Sequence, residues 1–180
     1  MPTFYLDMDG VVADWVTNAT AIIGRRYDDP AEHYTHEEWL KVKGDGRLFR
    51  ELPLMPKCDE LVSIARVYRD RLKWDLLFLT AIPHDNDVPW TFTDKIEWAS
   101  KHFPDIPVHF GPYSFDKYKH CKRGDILVDD RVDNCEQWTN AGGLAFNVGK
   151  TLDTAIEAVR VDLGRRLSMR SMREMNNVGR

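Results

Sequence analysis

Five short apolar segments, each followed by a longer stretch of different character, constrain the fold of this chain most strongly. They are TFYLD (3–7), WDLLFLT (74–80), VHF (108–110), DILVD (125–129) and LAFNV (144–148). Their mostly continuous apolar character is typical of strands buried on both faces of a parallel sheet. Strands that alternate with helices predict a three-layer, Rossmann-like α/β fold with right-handed connections.

The segments between these strands show helical patterns. Residues 58–72 and residues 91–103 each carry apolar side chains at helical spacing. Residues 132–141 precede the pair Gly142-Gly143, which favours the end of a helix before the next strand. In sheets of this kind, ligands bind at the carboxyl ends of the strands.

One long stretch, residues 15–56, interrupts the alternation because it contains helical patterns and no convincing strand. We interpret it as a small helical cap inserted after the first strand. Residues 1–14 and 57–164 then form the α/β core. The arginine-rich residues 165–180 form a tail, for which we expect a solvated terminal helix.

Composition narrows the class of protein. A net charge of −4 over 180 residues disfavours a nucleic-acid partner. We expect no membrane partner and no signal peptide, since no apolar run is long enough and almost nothing precedes the first strand. Cys58, Cys121 and Cys135 are odd in number and lack CxxC spacing, which argues against a disulfide framework and indicates a reducing cytoplasm. The oligomeric state stays open.

Acidic side chains stand at the ends of predicted strands. Asp7 ends the first and Asp9 lies two residues later, Thr80, a polar residue, ends the second, and Asp129 and Asp130 end the fourth. Either acidic motif alone is compatible with a loop cap, but together they favour a site where the carboxylates converge. Two carboxylates ~5 Å apart repel by ~3 kcal/mol at an effective dielectric near 20. A hard divalent cation such as Mg²⁺ would remove that repulsion.

Three motifs carry a resemblance. DMDGVVADW (7–15), FLTA (78–81) and GDILVDDR (124–131) resemble the ordered motifs of the haloacid dehalogenase superfamily of phosphatases. Within it, the pattern that adds LFRELPLMP (48–56) and DKIEW (94–98) to these motifs is most similar to the 5′(3′)-deoxyribonucleotidase group and related phage and bacterial proteins. The resemblance implies a Mg²⁺-dependent phosphomonoester hydrolase that forms an aspartyl-phosphate. The implied substrate is a small phosphorylated molecule, in particular a nucleoside monophosphate.

The resemblance also implies roles for residues. Asp7 would be the nucleophile and a metal ligand. Asp9 would be the general acid and base and would give the metal its backbone carbonyl. Gly10 lets the chain turn away from the phosphate. Thr80 and the amide of Ala81 would hold phosphate oxygens, although the family often has serine where this chain has Ala81.

A lysine should neutralise the phosphate, and the sequence offers Lys117, Lys119 and Lys122. The pair Asp116-Lys117 resembles the nucleotidase motif, whereas counting back from the acidic pair selects Lys119. We prefer Lys117 and keep Lys119 as the alternative. Of the acidic pair, Asp130 is the better candidate for the metal side chain, with Asp129 supporting it.

Aromatic side chains in the cap have two interpretations. Trp15 and Phe49 either pack the small core of the cap or stack on a nucleobase, and we predict substrate contact for both. The polar segments HYTH (33–36) and HDND (84–87) are interpreted as a solvated surface and a turn rather than as metal sites.

Two further functions remain open. A sugar phosphate or a nucleic-acid 3′-phosphate end could replace the nucleotide, and the basic tail is the feature that favours a polymer. A non-catalytic binding protein with the same fold is the other alternative. The complete set of acidic, hydroxyl and lysine side chains argues against it.

Overall fold

A five-stranded parallel sheet forms the centre of the computed structural model, which describes residues 1–25, 34–83, 88–149 and 151–178. The strands are β1 Thr3–Leu6, β2 Asp75–Thr80, β3 Val108–Phe110, β4 Ile126–Asp129 and β5 Leu144–Asn147. Their order is β3-β2-β1-β4-β5, and every pair is parallel. The predicted parallel α/β fold is confirmed, and β1 lies at the centre of the sheet.

Helices cover both faces of the sheet. They are α1 Trp15–Ile23, α2 His36–Gly44, α3 Leu48–Glu51, α4 Cys58–Leu72, α5 Thr91–His102, α6 Val132–Asn140 and α7 Leu152–Val178, with a 3-10 helix at Ser114–His120. Alternate residues of β1 point to opposite faces. Phe4 and Leu6 enter the large core with α4, α5 and α7, whereas Tyr5 packs with Trp138 of α6 on the other face. This arrangement gives the three layers.

The first three helices form the predicted insertion after β1, and they are tied to the core at several points. Ala13 and Leu54 form an isolated antiparallel bridge at the two ends of the insertion. The indole Nε1 of Trp98 on α5 donates to the carbonyl of Leu52 at 2.6 Å. The insertion therefore packs against α5 as well as above β1. Of the two polar segments, HDND and His33 of HYTH lie outside the described residues.

The final helix, α7, joins the core to the tail without interruption. Its first part, residues 152–164, has no element in the sequence-based prediction, although Ala155, Ile156, Val159 and Leu163 recur at helical spacing and are buried. Beyond them the helix crosses the boundary expected at 164/165, and its methionines are exposed: Met169, Met172 and Met175. No helix in the described ranges is both long enough and apolar enough to cross a membrane.

Candidate active site

The acidic motifs converge because of the strand order. Asp7 follows β1, Thr80 is the last residue of β2, and Asp129 is the last residue of β4. Since β1 lies between β2 and β4, these three ends are neighbours at one edge of the sheet. One carboxylate oxygen from each of Asp7, Asp129 and Asp130 lies within 4.8 Å of the others. The sheet thus gathers a cluster of carboxylates at its carboxyl edge.

The carboxylate of Asp7 is buried and held at both oxygens. The amide of Met8 donates to Oδ1 at 2.7 Å, and Nζ of Lys117 lies 2.7 Å from Oδ2. Burial raises the pKa of Asp7 to about 6, Lys117 opposes the rise, and the charges of Asp129 and Asp9 add to it. The Asp7 carboxylate is therefore fixed in place. The contact with Lys117 does not fully offset the cost of its buried negative charge.

Asp129 is fully buried, and protein donors surround its carboxylate. Lys117 donates to Oδ2 at 2.7 Å, and the backbone amide of Arg131 donates to Oδ1 at 2.9 Å. The amide of Asn134 lies 2.9 and 3.1 Å from the two oxygens. Protein donors thus engage both oxygens of Asp129, and its contact with Lys117 holds that lysine beside Asp7. Asn134 is absent from the sequence-based prediction, although it is a polar residue on the face of α6 that also carries Cys135 and Trp138.

Asp130 lies against Gly10, where the chain leaves the Asp7 loop. Gly10 has φ +73°, and a Cβ there would overlap with Oδ2 of Asp130. Burial and the neighbouring charges of Asp129 and Asp7 raise the pKa of Asp130. Asn147 donates to the backbone carbonyls of Asp129 and Asp130 at 3.3 and 3.0 Å, which fixes the loop. Only glycine at position 10 permits this close approach.

The donor set fits a hard divalent cation. Asp7 is buried and Asp130 half-buried, and burial first and then the charges of neighbouring carboxylates raise the pKa of each, an effect that bound positive charge would oppose. Every available ligand is an oxygen, the type that Mg²⁺ prefers. The carboxylates of Asp7, Asp129 and Asp130 form the group that could hold it.

The structure separates the three candidate lysines. The Lys117 side chain is 2% exposed and contacts both Asp7 and Asp129. Burial opposes its charge, but the two carboxylates outweigh that effect and raise its pKa. The Lys119 side chain is 60% exposed and pairs with Asp116, and Lys122 is exposed in a turn. This geometry favours Lys117 as the lysine of the site.

A fourth lysine, to which the sequence-based prediction gave no role, also reaches the site. Nζ of Lys95 on α5 lies 2.5 Å from Oδ2 of Asp9 and donates to Oγ1 of Thr80 at 2.8 Å. The sequence carried a signal for Lys95, because its spacing from Trp98 and Ala99 puts a charged residue on the buried face of α5. Ala81 follows Thr80 directly and is half-buried.

Aromatic rings of the cap form a stack beside Lys95. The Trp15 and Phe49 rings lie 5.0 Å apart at 8°, and the Trp15 and Trp39 rings lie 5.8 Å apart at 26°. Phe49 is 3% exposed, and Nζ of Lys95 lies 5.1 Å from its ring centroid. Trp15 is half-buried. Of the two predicted base contacts, Trp15 retains accessible surface, whereas Phe49 is buried between Trp15 and Lys95.

We expect Mg²⁺ to stabilise the protein strongly at pH 7.5 and weakly at pH 5. The folded-state pKa of Asp7, about 6, lies above its ordinary value of 3.8, so protons stabilise the metal-free fold. This stabilisation by the bound proton is fully present when the pH is below 3.8, the ordinary pKa of Asp7, and is lost as the pH rises through about 6, its pKa in the fold. Mg²⁺ needs the ionised carboxylate and therefore competes with protons. Thermal unfolding with and without Mg²⁺ at both pH values measures the difference, and an equal gain at both would contradict it.

The parallel α/β fold, the helical insertion after β1 and the Asp7-x-Asp9 loop facing Asp130 define a hydrolase of the haloacid dehalogenase type. Residues 1–162 match the family model described as "5' nucleotidase, deoxy (Pyrimidine), cytosolic type C protein". The chain belongs to this family of phosphomonoesterases.

Individual relatives agree with the family. A Staphylococcus aureus (strain Mu50) protein named "Putative 5'(3')-deoxyribonucleotidase" is 27% identical over 168 residues, covering 86% of this chain and 87% of the relative. A Staphylococcus epidermidis (strain ATCC 12228) protein of the same name is 28% identical over 145 residues, covering 73% and 75%. A solved hydrolase from Streptococcus pneumoniae TIGR4 matches with a TM-score of 0.52 at 12% identity, covering 88% of this chain and 97% of that one. This last likeness shows the fold.

Proposed function

We propose that the protein is a Mg²⁺-dependent phosphatase that removes the phosphate from nucleoside monophosphates, with deoxyribonucleotides as the substrate class suggested by its family and relatives. The observation that carries the proposal is one cluster of side chains. In it, Asp7 pairs with Lys117 and lies close to Asp130. Lys95 contacts both Asp9 and Thr80. This cluster supplies a nucleophile, a proton donor and cations for a phosphate dianion.

In the proposed reaction, a carboxylate oxygen of Asp7 attacks phosphorus and the bond to the leaving oxygen breaks. Asp9 gives its proton to that oxygen, and the Asp7 side chain becomes an aspartyl-phosphate. The Asp9 carboxylate then takes a proton from a water molecule, which attacks phosphorus and releases phosphate. Asp7 returns as a carboxylate and Asp9 as the acid, so the cycle closes.

Other groups of the chain hold the phosphate. Lys117 reaches the attacking carboxylate and supplies positive charge where negative charge develops. The hydroxyl of Thr80 and the amide of Ala81 are the proposed donors to the phosphate oxygens. A bound Mg²⁺, held by Asp7, Asp130 and the Asp9 carbonyl, would supply further positive charge at the same place.

The cap supplies the proposed contact with the base. Trp15 belongs to α1 and stacks on Phe49, whose ring lies against Lys95 of the site. Stacking on this ring tolerates different bases. We also propose a cytoplasmic location, which agrees with three free cysteines.

A phosphate-release screen tests the function. The substrates are deoxyribonucleoside and ribonucleoside monophosphates, sugar phosphates and 3′-phosphorylated oligonucleotides, each with Mg²⁺ and with EDTA. We expect the highest kcat/KM for nucleoside monophosphates, loss of activity with EDTA, and recovery when Mg²⁺ is restored. A preference for the oligonucleotide would instead support the 3′-phosphate alternative. No turnover of any substrate would support the binding-protein alternative.

Replacing Trp15 by leucine should raise KM for a nucleoside monophosphate by about 5- to 150-fold, the equivalent of ~1–3 kcal/mol of lost base stacking. KM for phenyl phosphate, which has no base, should change little. Steady-state kinetics on both substrates measure this difference. Equal changes in the two KM values would show that Trp15 only packs the cap.

A further inference from the structure

Lys95 is a buried cation that no step of the proposed reaction uses. Its side chain is 1% exposed, although a buried ammonium group is costly unless it is paired. Its partners are Oδ2 of Asp9 at 2.5 Å and Oγ1 of Thr80 at 2.8 Å. Both partners belong to the proposed reaction, so the cost of burying Lys95 is offset inside the site rather than elsewhere in the core.

The contact with Asp9 distinguishes the two oxygens of that carboxyl group. Lys95 engages Oδ2, whereas Oδ1 is buried and has no hydrogen-bond partner among the described residues. A proton on Asp9 is therefore best placed on Oδ1, since a cation occupies the other oxygen. Lys95 also stabilises the carboxylate that remains after Asp9 has donated its proton.

The contact with Thr80 orients a second group. A hydroxyl has one hydrogen to donate and two lone pairs to accept with. Because Oγ1 of Thr80 accepts from the Lys95 ammonium, its own hydrogen must point to another acceptor. A phosphate oxygen at the carboxyl end of β2 is such an acceptor.

The surroundings keep Lys95 in place. The ring of Phe49 covers Nζ with its centroid at 5.1 Å. The adjacent residue, Asp94, is fully buried and pairs with Arg47 and Arg50 from the cap. The turn of α5 that carries Lys95 is thus fixed against the cap and closed to solvent.

We propose that Lys95 is a positioning residue that aims Oδ1 of Asp9 at the leaving oxygen and the Thr80 hydroxyl at the phosphate. This inference rests on the proposed function. It predicts that loss of Lys95 impairs proton donation to the leaving group more than it impairs attack on phosphorus. A leaving group that needs no proton should therefore be less affected.

The test compares phenyl phosphate with 4-nitrophenyl phosphate, because nitrophenolate departs without protonation and phenolate benefits from it. We expect Lys95→Met to lower kcat/KM by about 10²-fold for phenyl phosphate and by less than about 10-fold for 4-nitrophenyl phosphate. The matched control is Lys101→Met, an exposed lysine on the same helix, which should behave as the unaltered protein does. The ratio of the two rates within one sample is independent of the fraction of protein that is folded.

If Lys95→Met is recovered in too small an amount, Lys95→Gln serves as a second variant. It should change the ratio of the two kcat/KM values in the same way. Equal losses on both substrates would overturn the inference, because a purely structural role or direct phosphate binding affects both alike. Failure of the proposed function has a different signature: the unaltered protein would then hydrolyse neither aryl phosphate, and both proposals would be rejected.

Discussion

Asp7→Asn should lower kcat for phosphomonoesters by about 10⁴-fold or more, because an amide oxygen cannot replace the attacking carboxylate. The same substitution should raise the melting temperature of the metal-free protein at pH 7.5. The raised pKa of Asp7 shows that its ionised form is disfavoured in the fold by burial and by neighbouring carboxylates. Each kcal/mol regained corresponds to about 2–4 °C for a chain of this size.

The measurement combines phosphate release with thermal unfolding in EDTA. Asp75→Asn is the matched control, since Asp75 is exposed at the start of β2, at the opposite edge of the sheet. Asp75→Asn should change neither kcat nor the melting temperature. A folded Asp7→Asn protein with full activity would exclude the aspartyl-phosphate mechanism. A lower melting temperature would show that the ion pair with Lys117 outweighs the repulsion.

Lys117→Met should lower kcat/KM by about 10²- to 10³-fold, the usual effect of removing one preorganised group that stabilises developing charge. The substitution also leaves Asp7 and Asp129 without their shared cation. The metal-free protein should therefore lose stability, and Mg²⁺ should restore more of it than in the unaltered protein. Activity assays and melting curves at several Mg²⁺ concentrations measure both effects.

Lys119→Met provides a control of the same residue type two positions away. The Lys119 side chain is 60% exposed and pairs with Asp116, so its loss should leave activity within about 2-fold. The opposite result, with activity lost in Lys119→Met and kept in Lys117→Met, would assign the phosphate lysine to position 119. That outcome would also require the 3-10 helix Ser114–His120 to rearrange when substrate binds.

Local sequence patterns determined most of the framework. The continuous apolar segments located all five strands to within about a residue at each end, because a strand buried on both faces leaves a local signal. The positions of Asp7, Thr80 and Asp129 at strand ends followed directly. Their convergence then needed only the rule that parallel strands present their carboxyl ends at one edge. The helical insertion was recognisable because residues 15–56 lacked that strand signal.

The tertiary structure alone decided which side chains complete the site. Lys95 meets Asp9 across 86 positions of sequence, and Lys117 meets Asp129 across 12. Such pairs depend on how helices and loops pack against the sheet, and local periodicity carries no record of that packing. Sequence alone preferred Lys117 without excluding Lys119 and gave Lys95 no role. It also treated Phe49 as equal to Trp15, whereas packing against Trp15 and Lys95 buries Phe49 and leaves part of Trp15 accessible.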